Sequence, residues 1–364
     1  MVRITRYPHR IRALFVPALV LATVTLAANG PPADAADTPT SDGQDAAPVR
    51  GAIHGYVFDG ERYQTIDVPG ATRTEAWDIT NSGDVIGYYS NADGRLHGFR
   101  LDKSGKYTKF DDPDRVLEND LTGGNDRGVT VGSLLRYDPT MGEAHGYLRD
   151  ARGRFTTIDV PGALTTLGWR INNRGQVVGI YSDVDRQVPL RFLRGYIYEN
   201  GRFTRVDAPG VSNTTLNDIN DRGQSIGQAF DAADPRNTHY TFLRDRDGTF
   251  TKLPDVPRAV QTIHIGLNNR GQTVATAAFL SADGTFVTLR AYRYDDGEPT
   301  RIAVPGSVST FATAINDRGH IVGYYTDPAP GTTRPAAAAA AAADGAAGMP
   351  MGLDPVGMMD PMLP

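Results

Sequence analysis

Cysteine is absent from all 364 residues. No disulfide braces this chain and no lipidated cysteine tethers it. Stability must come from a buried core, which residues 52–327 are numerous enough to supply. Long apolar runs are scarce as well. The uncharged stretch Ala13–Ala28 follows a basic start at Arg3, Arg6, Arg10 and Arg12, and it falls short of the ~20 residues a spanning helix needs. It reads as a secretory signal over residues 1–36, with Ala33-Asp34-Ala35 as a cleavage context and an uncleaved anchor as the alternative. Positive charge is short too. Residues 1–36 hold four of 37 basic groups and one of 42 acidic ones, so 33 and 41 remain, a net of −8. That balance excludes nucleic acid as the main partner, because phosphate neutralisation needs clustered cations. The Gly-x-Ser-x-Gly turn of many serine hydrolases is also missing.

What the chain does contain is one phrase written six times. Asn-Asp-Arg-Gly or a close variant places its glycine at Gly83, Gly128, Gly175, Gly223, Gly271 and Gly319, at spacings of 45, 47, 48, 48 and 48 residues. Strand-rich repeats of that length are built by stacking or closing copies of one small unit. In the copy from Gly168, Trp169–Asn172 is a first strand, Asn173-Arg174-Gly175 a tight turn and Gln176–Tyr181 a second strand. Arg194–Glu199 is a third, Asn200-Gly201 a two-residue hairpin turn and Phe203–Asp207 a fourth, ended by Ala208-Pro209-Gly210. The glycine within the second strand (Gly87, Gly179, Gly323; alanine at Ala275) implies close approach by a neighbouring sheet.

Four antiparallel strands per period predict an all-β, six-bladed β-propeller rather than an open solenoid. The termini decide between them. The ordered chain starts with a third strand (Gly55–Phe58) and a fourth (Tyr63–Val68), and it ends near Asp327 after a first and a second. The two halves make one blade, closing the ring and removing its edges. Residues 37–51 form a flexible leader. Residues 328–364, with Ala336–Ala343 and five methionines in the last sixteen positions, form a low-complexity tail.

The wording resembles the exported bacterial proteins with HAF repeats. The family tripeptide stands as His54-Gly55-Tyr56, His97-Gly98-Phe99 and His145-Gly146-Tyr147, with weaker forms at Arg194, His239 and Arg290. Thr65–Ala71 and Thr157–Ala163 repeat Thr-Ile-Asp-Val-Pro-Gly-Ala. The resemblance covers residues 52–327 and implies export and a propeller-like fold, with no established reaction.

The histidines do not form a metal ring. Third strands sit ~10 Å outside the innermost ones, whereas zinc needs ligands ~2 Å away, so they read as inter-blade packing or hydrogen-bonding residues. The arginines before the anchor glycines (Arg127, Arg174, Arg222, Arg270 and Arg318) read as exposed turn residues, their charge offset by Asp126, Asp221 and Asp317. Asp245-Arg246-Asp247-Gly248 reads as a turn and not as a calcium loop. No cofactor or metal is called for.

Non-repeating residues on the innermost strands are the candidate ligand-binding set: Glu75, Trp77, Asp78, Asp120, Trp169, Arg170, Asp218 and His264. Charge is unexpected where both sheet faces are covered. Arg170 and Asp218 occupy the same level on adjacent blades and suit an ion pair. The set alternatively builds a channel-mouth pocket, with Trp77 or Trp169 stacking on a sugar and carboxylates taking its hydroxyls. The expected product is a secreted, periplasmic or cell-surface monomer. It binds an extracellular protein or glycan through variable loops at 111–119, 134–144, 182–193 and 231–239 without catalysis. The alternative is a hydrolase or lyase acting on a polysaccharide or lactone at the channel mouth, using Glu75, Asp78, Asp120 and Asp218.

Overall fold

A computed structural model of the chain describes residues 51–92, 95–110, 118–136, 143–182, 193–231, 239–280 and 287–328. The signal, leader and tail, and most of the four variable loops, lie outside those residues. The described chain opens with β1 (Ile53–Phe58) and β2 (Tyr63–Ile66). The next two units are β3 (Arg73–Ile79), β4 (Val85–Ser90), β5 (Leu96–Leu101) and β6 (Tyr107–Phe110), then β7 (Glu118–Gly124), β8 (Thr130–Arg136), β9 (Glu143–Arg149) and β10 (Phe155–Ile158). A third holds β11 (Thr165–Ile171), β12 (Val177–Ser182), β13 (Leu193–Glu199) and β14 (Arg202–Val206). The fourth and fifth are β15 (Asn213–Ile219), β16 (Ser225–Phe230), β17 (His239–Arg244) and β18 (Phe250–Lys252), and β19 (Gln261–Leu267), β20 (Thr273–Leu280), β21 (Val287–Asp295) and β22 (Glu298–Ile302). β23 (Ser309–Ile315) and β24 (Ile321–Thr326) come last.

Each unit is an antiparallel meander. The chain's two ends share one: β24 pairs along β1 from Ile53↔Thr326 to Phe58↔Ile321. The first strands touch in sequence, β3 to β7 and onward to β23, and β23 touches β3. The arrangement is all-β and propeller-like. First strands begin earlier than expected, at Thr165 and not Trp169 in the third unit.

Burial follows position in the unit. β15 and β19 are buried at every residue, whereas β14 and β22 alternate and expose most of theirs. The apolar core lies between neighbouring units. Val178 and Val206 of one meet Leu216, Ile219, Ala229 and Phe242 of the next. Ile66 and Val68 meet Ala76, Ile79 and Phe99 in the same way. Thr74, Thr166, Thr214, Thr262 and Thr310 each accept the backbone N–H six residues earlier, fixing the Val-Pro-Gly corner against the following strand.

The second-strand glycines have a reason other than the expected one. A Cβ on Gly179 would lie 1.9 Å from the Leu167 carbonyl oxygen and 3.0 Å from the Tyr196 hydroxyl, both within its own unit. All six first strands carry a β-bulge opposite that position, for example between Gly168 and Arg170. The bulge pushes a carbonyl toward the second strand, and the third-strand aromatic ring closes over it. The close approach therefore comes from the unit's own bulge, not from a neighbouring sheet. Where alanine replaces glycine, at Ala275, the aromatic Tyr292 is 7% exposed, against 0% for Tyr196.

Candidate functional site

The anchor turns gather around one axis. In the first, the Thr80 hydroxyl accepts the Asp84 N–H (3.0 Å). In the other five an asparagine accepts two backbone N–H groups of its own turn, as Asn172 Oδ1 does from Arg174 (3.0 Å) and Gln176 (2.9 Å), while Gly175 takes φ +84°. The same asparagine's amide reaches the next turn. Asn125, Asn172, Asn220, Asn268 and Asn316 donate to the carbonyls of Asn172, Asn220, Asn268, Asn316 and Thr80.

A second ring follows, one residue on. Asn81, Asp126, Asn173, Asp221, Asn269 and Asp317 alternate amide and carboxylate. Asn173 Nδ2 donates to both Asp126 (2.8 Å) and Asp221 (3.1 Å), and Asn269 Nδ2 to both Asp221 (3.1 Å) and Asp317 (2.8 Å). Asn81 Nδ2 donates to Asp317 (2.8 Å), and the Ser82 amide to Asp126 (2.8 Å). An even-membered ring lets each amide serve two carboxylates, a rule satisfied only by strict alternation. The aspartates thus bond to asparagines, and among the described residues no ion pair joins them to the five arginines, all of which are exposed. Arg270 donates to the Asp317 main-chain carbonyl.

Within the ring is a cavity of about 70 Å³ whose lining includes Asp78 and Asp218. Beneath it lies Arg170, 3% exposed. Its guanidinium donates to the carbonyls of Thr122 (2.5 Å), Trp169 (3.1 Å), Trp77 (2.6 Å) and Thr313 (3.1 Å). These are the bulge residues of β7, β11, β3 and β23. Its ion pair is with Asp78, Nε to Oδ1 3.9 Å. The adjacent-unit Arg170–Asp218 pairing expected from sequence is replaced by this arrangement, because the bulge carbonyls draw the guanidinium across the axis. Asp78 accepts the amides of Ile79 (2.8 Å) and Gly124 (2.9 Å), and Asp218 those of Ile219 (2.7 Å) and Leu267 (2.7 Å). Three charged side chains thereby fasten all six first strands. Burial raises both carboxyls, opposed by Arg170, and Asp218 is pushed up to about 7. Gly123 and Gly266 hold the equivalent positions in other units, where a Cβ would come within 2.7 Å of Trp169 O or Ala314 Cα.

The other sequence-derived candidates lie in the packing between units, away from this cavity. Glu75 is fully buried, gripped by the Arg73 guanidinium and by Trp77 Nε1 (3.0 Å). Trp77 stacks on Tyr88 at 5.7 Å. Burial raises the Tyr88 and Tyr324 hydroxyls well above their ordinary range, reinforced by the Glu75 charge. Asp120 is 1% exposed and Trp169 is buried in an apolar cluster with Leu167 and Ile180. His264 is fully buried; Pro254 O can only accept, so Nε2 donates to it (3.0 Å) and Nδ1 accepts the Thr273 hydroxyl (2.8 Å). Burial lowers its pKa to about 4.

The tripeptide histidines bond within their own units. His54 Nδ1 meets Asp67 (2.8 Å) and Nε2 meets Asp327 (3.3 Å), while His145 Nδ1 meets Asp159 (2.8 Å). They are cross-strand partners of the aspartate in the closing phrase, not the inter-blade contacts expected. Asp245–Gly248 is a turn, closed by Gly248 N to Asp245 O at 3.0 Å. Sequence reasoning missed the Asn/Asp ring. Its signal was the strict alternation two residues before each anchor glycine.

No helix among the described residues is long and apolar enough to cross a membrane. No protein-family model matches the chain, and no curated protein matches its sequence. Among solved structures it is similar to TolB from Acinetobacter baumannii, at 12% identity and TM-score 0.46 over 78% of this chain, spanning 65% of that protein's length. A putative TolB from Agrobacterium tumefaciens gives 13% and 0.47, covering 78% of this chain and 100% of that one. Virginiamycin B lyase from Staphylococcus aureus gives 9% and 0.40, covering 75% and 99%.

Proposed function

We propose that this chain is an exported, non-enzymatic binding or scaffold module. It is a six-bladed propeller closed by its own ends that recognises an extracellular protein or glycan through one rim. Residues 1–36 are its signal, 37–51 a leader, 52–327 the propeller and 328–364 a tail, and its kin are the HAF-repeat proteins. The mature form acts as a monomer in the periplasm, at the cell surface or outside the cell. Pairing of β1 with β24 and contact of β23 with β3 support the closed ring.

One observation carries the non-enzymatic reading: the carboxyls nominated for chemistry are engaged or sealed. Glu75 is held by Arg73 and Trp77, Asp78 and Asp218 each hold two amides beside Arg170, and Asp120 is buried. A general acid or base has to reach its substrate, and these reach the fold itself. Recognition falls to one rim through the variable loops at 111–119, 134–144, 182–193 and 231–239, most of which lie outside the described residues and which differ in length from unit to unit in the sequence.

The test is a glycan array probed with the full mature chain, followed by product analysis of each captured glycan by mass spectrometry. Saturable capture with the glycan intact, and lost when residues 183–192 are replaced by a Gly-Ser linker, is the expected result. Cleavage of a captured glycan that disappears in Glu75→Gln or Asp120→Asn overturns the reading in favour of a hydrolase or lyase.

A further inference from the structure

Two buried carboxyls face one guanidinium at the axis, and the charge does not balance. Arg170 offsets one negative charge; the second, with no further cation paired to it among the described residues, is cheaper to neutralise than to bury. We propose that the Asp78–Arg170–Asp218 cluster is a proton-operated lock, in which one of the two carboxyls, Asp218, holds a proton and its loss loosens the fastening of the first strands.

Among the described residues, no cation other than Arg170 forms an ion pair with either carboxyl. Asp218 on β15 faces Arg170 from β11 and Asp78 from β3. β19 brings His264, already held by Thr273 and Pro254. β12 brings Tyr181, and β16 has no titratable side chain. β13 brings Tyr196 and Tyr198, Glu199, and Arg194 on the Ser212 carbonyl and Asp207. The following turn adds Asp221 and its neighbour Arg222, the latter exposed. Around Asp78, its own strand brings Arg73, held by Glu75, β7 brings Asp120 and its turn Asp126 and the exposed Arg127, β4 Tyr88 and Tyr89, β24 Tyr324 and Tyr325, and β1 Tyr56 and His54, the latter held by Asp67 and Asp327. The cavity supplies the proton route, since Asp78 and Asp218 line it and it leads to the anchor turns.

Burial, reinforced by the Asp78 charge, moves Asp218 up to about 7, and burial raises Asp78 as well. The sign follows. The folded pKa lies above the ordinary 3.8, so the folded state holds a proton that the unfolded state has lost between about pH 4 and 7. Stability from this source is present at the acid side of that window and is lost as pH rises through about 7. That is opposite to the usual salt-bridged carboxylate.

Urea unfolding of the full mature chain and of Asp218→Asn, at pH 6.5 and 8.5, isolates the cluster from other titrating groups. The ratio of the unfolding constants, unsubstituted over variant, is expected to rise about fourfold between those pH values. A second readout needs no variant to fold. In 15N-leucine-labelled protein the Leu267 amide, bonded to Asp218, should shift with a midpoint near pH 7. A Leu267 amide that does not titrate between pH 5.5 and 8.5, or a ratio that stays flat, overturns the lock.

Discussion

The two ends of the first strands solve one problem in different ways. At the anchor-turn end, polar groups sit at nearly identical positions in each unit, and symmetry supplies their partners: Asn to next carbonyl, Asn to Asp and back. At the opposite end, the residues differ in every unit and each finds its own local partner, Glu75 in Arg73 and His264 in Thr273. A residue repeated at this ring can be satisfied by the copy in the next unit. A unique residue must be satisfied by neighbours that are unique too. The turn end therefore holds the ring together, and the other end is where variation costs little.

The axis breaks the symmetry, and it yields the largest expected effect. Arg170→Met leaves four buried carbonyls and Asp78 without their cation. It should destabilise by about 3–5 kcal/mol in urea unfolding, more than any single change at the other end. A loss under about 1 kcal/mol would mean that water replaces the guanidinium and that the axis is not a fastening.

Gly179→Ala tests the bulge that every unit shares. Its Cβ would collide with the Leu167 carbonyl, and overpacking of this kind costs about 1–3 kcal/mol. Ala275 marks how the fifth unit escapes: Tyr292 lies further out. The paired change Gly179→Ala with Tyr196→Leu should recover part of the loss, measured by thermal unfolding.

Asn173→Asp sharpens the comparison further, because it breaks alternation without changing shape. Three carboxylates in a row would replace an amide that served two. A loss of about 2 kcal/mol at pH 7 is expected, shrinking as pH falls toward 4 and the carboxylates protonate. A loss unchanged by acid would show that geometry and not charge is at fault.

Much of this fold was legible in the chain. The 48-residue period, the Asn-Gly hairpin at Asn200, whose φ of +51° precedes +80° at Gly201, and the third and fourth strands at the start that match the first and second at the end all follow from turn chemistry and alternation, which are local. The axial arrangement was not legible, for a physical reason. Asn173 looks like turn filler until its partners 47 and 48 residues away are brought within reach. Arg170 looks like a neighbour of Asp218 until four bulges aim their carbonyls at its guanidinium. Sequence spacing carries no information on where a bulge points a carbonyl.

The acid limb of stability belongs to the end with unique residues. Burial lowers His239 and His264 to about 4, below the ordinary 6.5, so the unfolded chain takes protons first as pH falls. Their contribution is present above about pH 6.5 and lost toward pH 4. His264→Gln, which keeps one donor and one acceptor, should flatten that limb in denaturation midpoints between pH 4 and 6.5. An unaltered limb would place the titration elsewhere.

The smallest effect is expected where the repeat is most conspicuous. Arg174 recurs at the same position in four other turns, yet its side chain is exposed, and only its backbone N–H enters the turn, donating to Asn172. Arg174→Ala keeps that N–H and the glycine after it, so stability should change by no more than about 0.5 kcal/mol. The same substitution at Arg127, Arg222 and Arg318 should also be small, because each of those side chains is exposed. Heparin retention of the quadruple variant provides the counter-test. If the parent chain is retained at physiological salt and the variant is not, the arginines form a polyanion-binding ring, and the anchor-turn end is a recognition surface as well as a fastening.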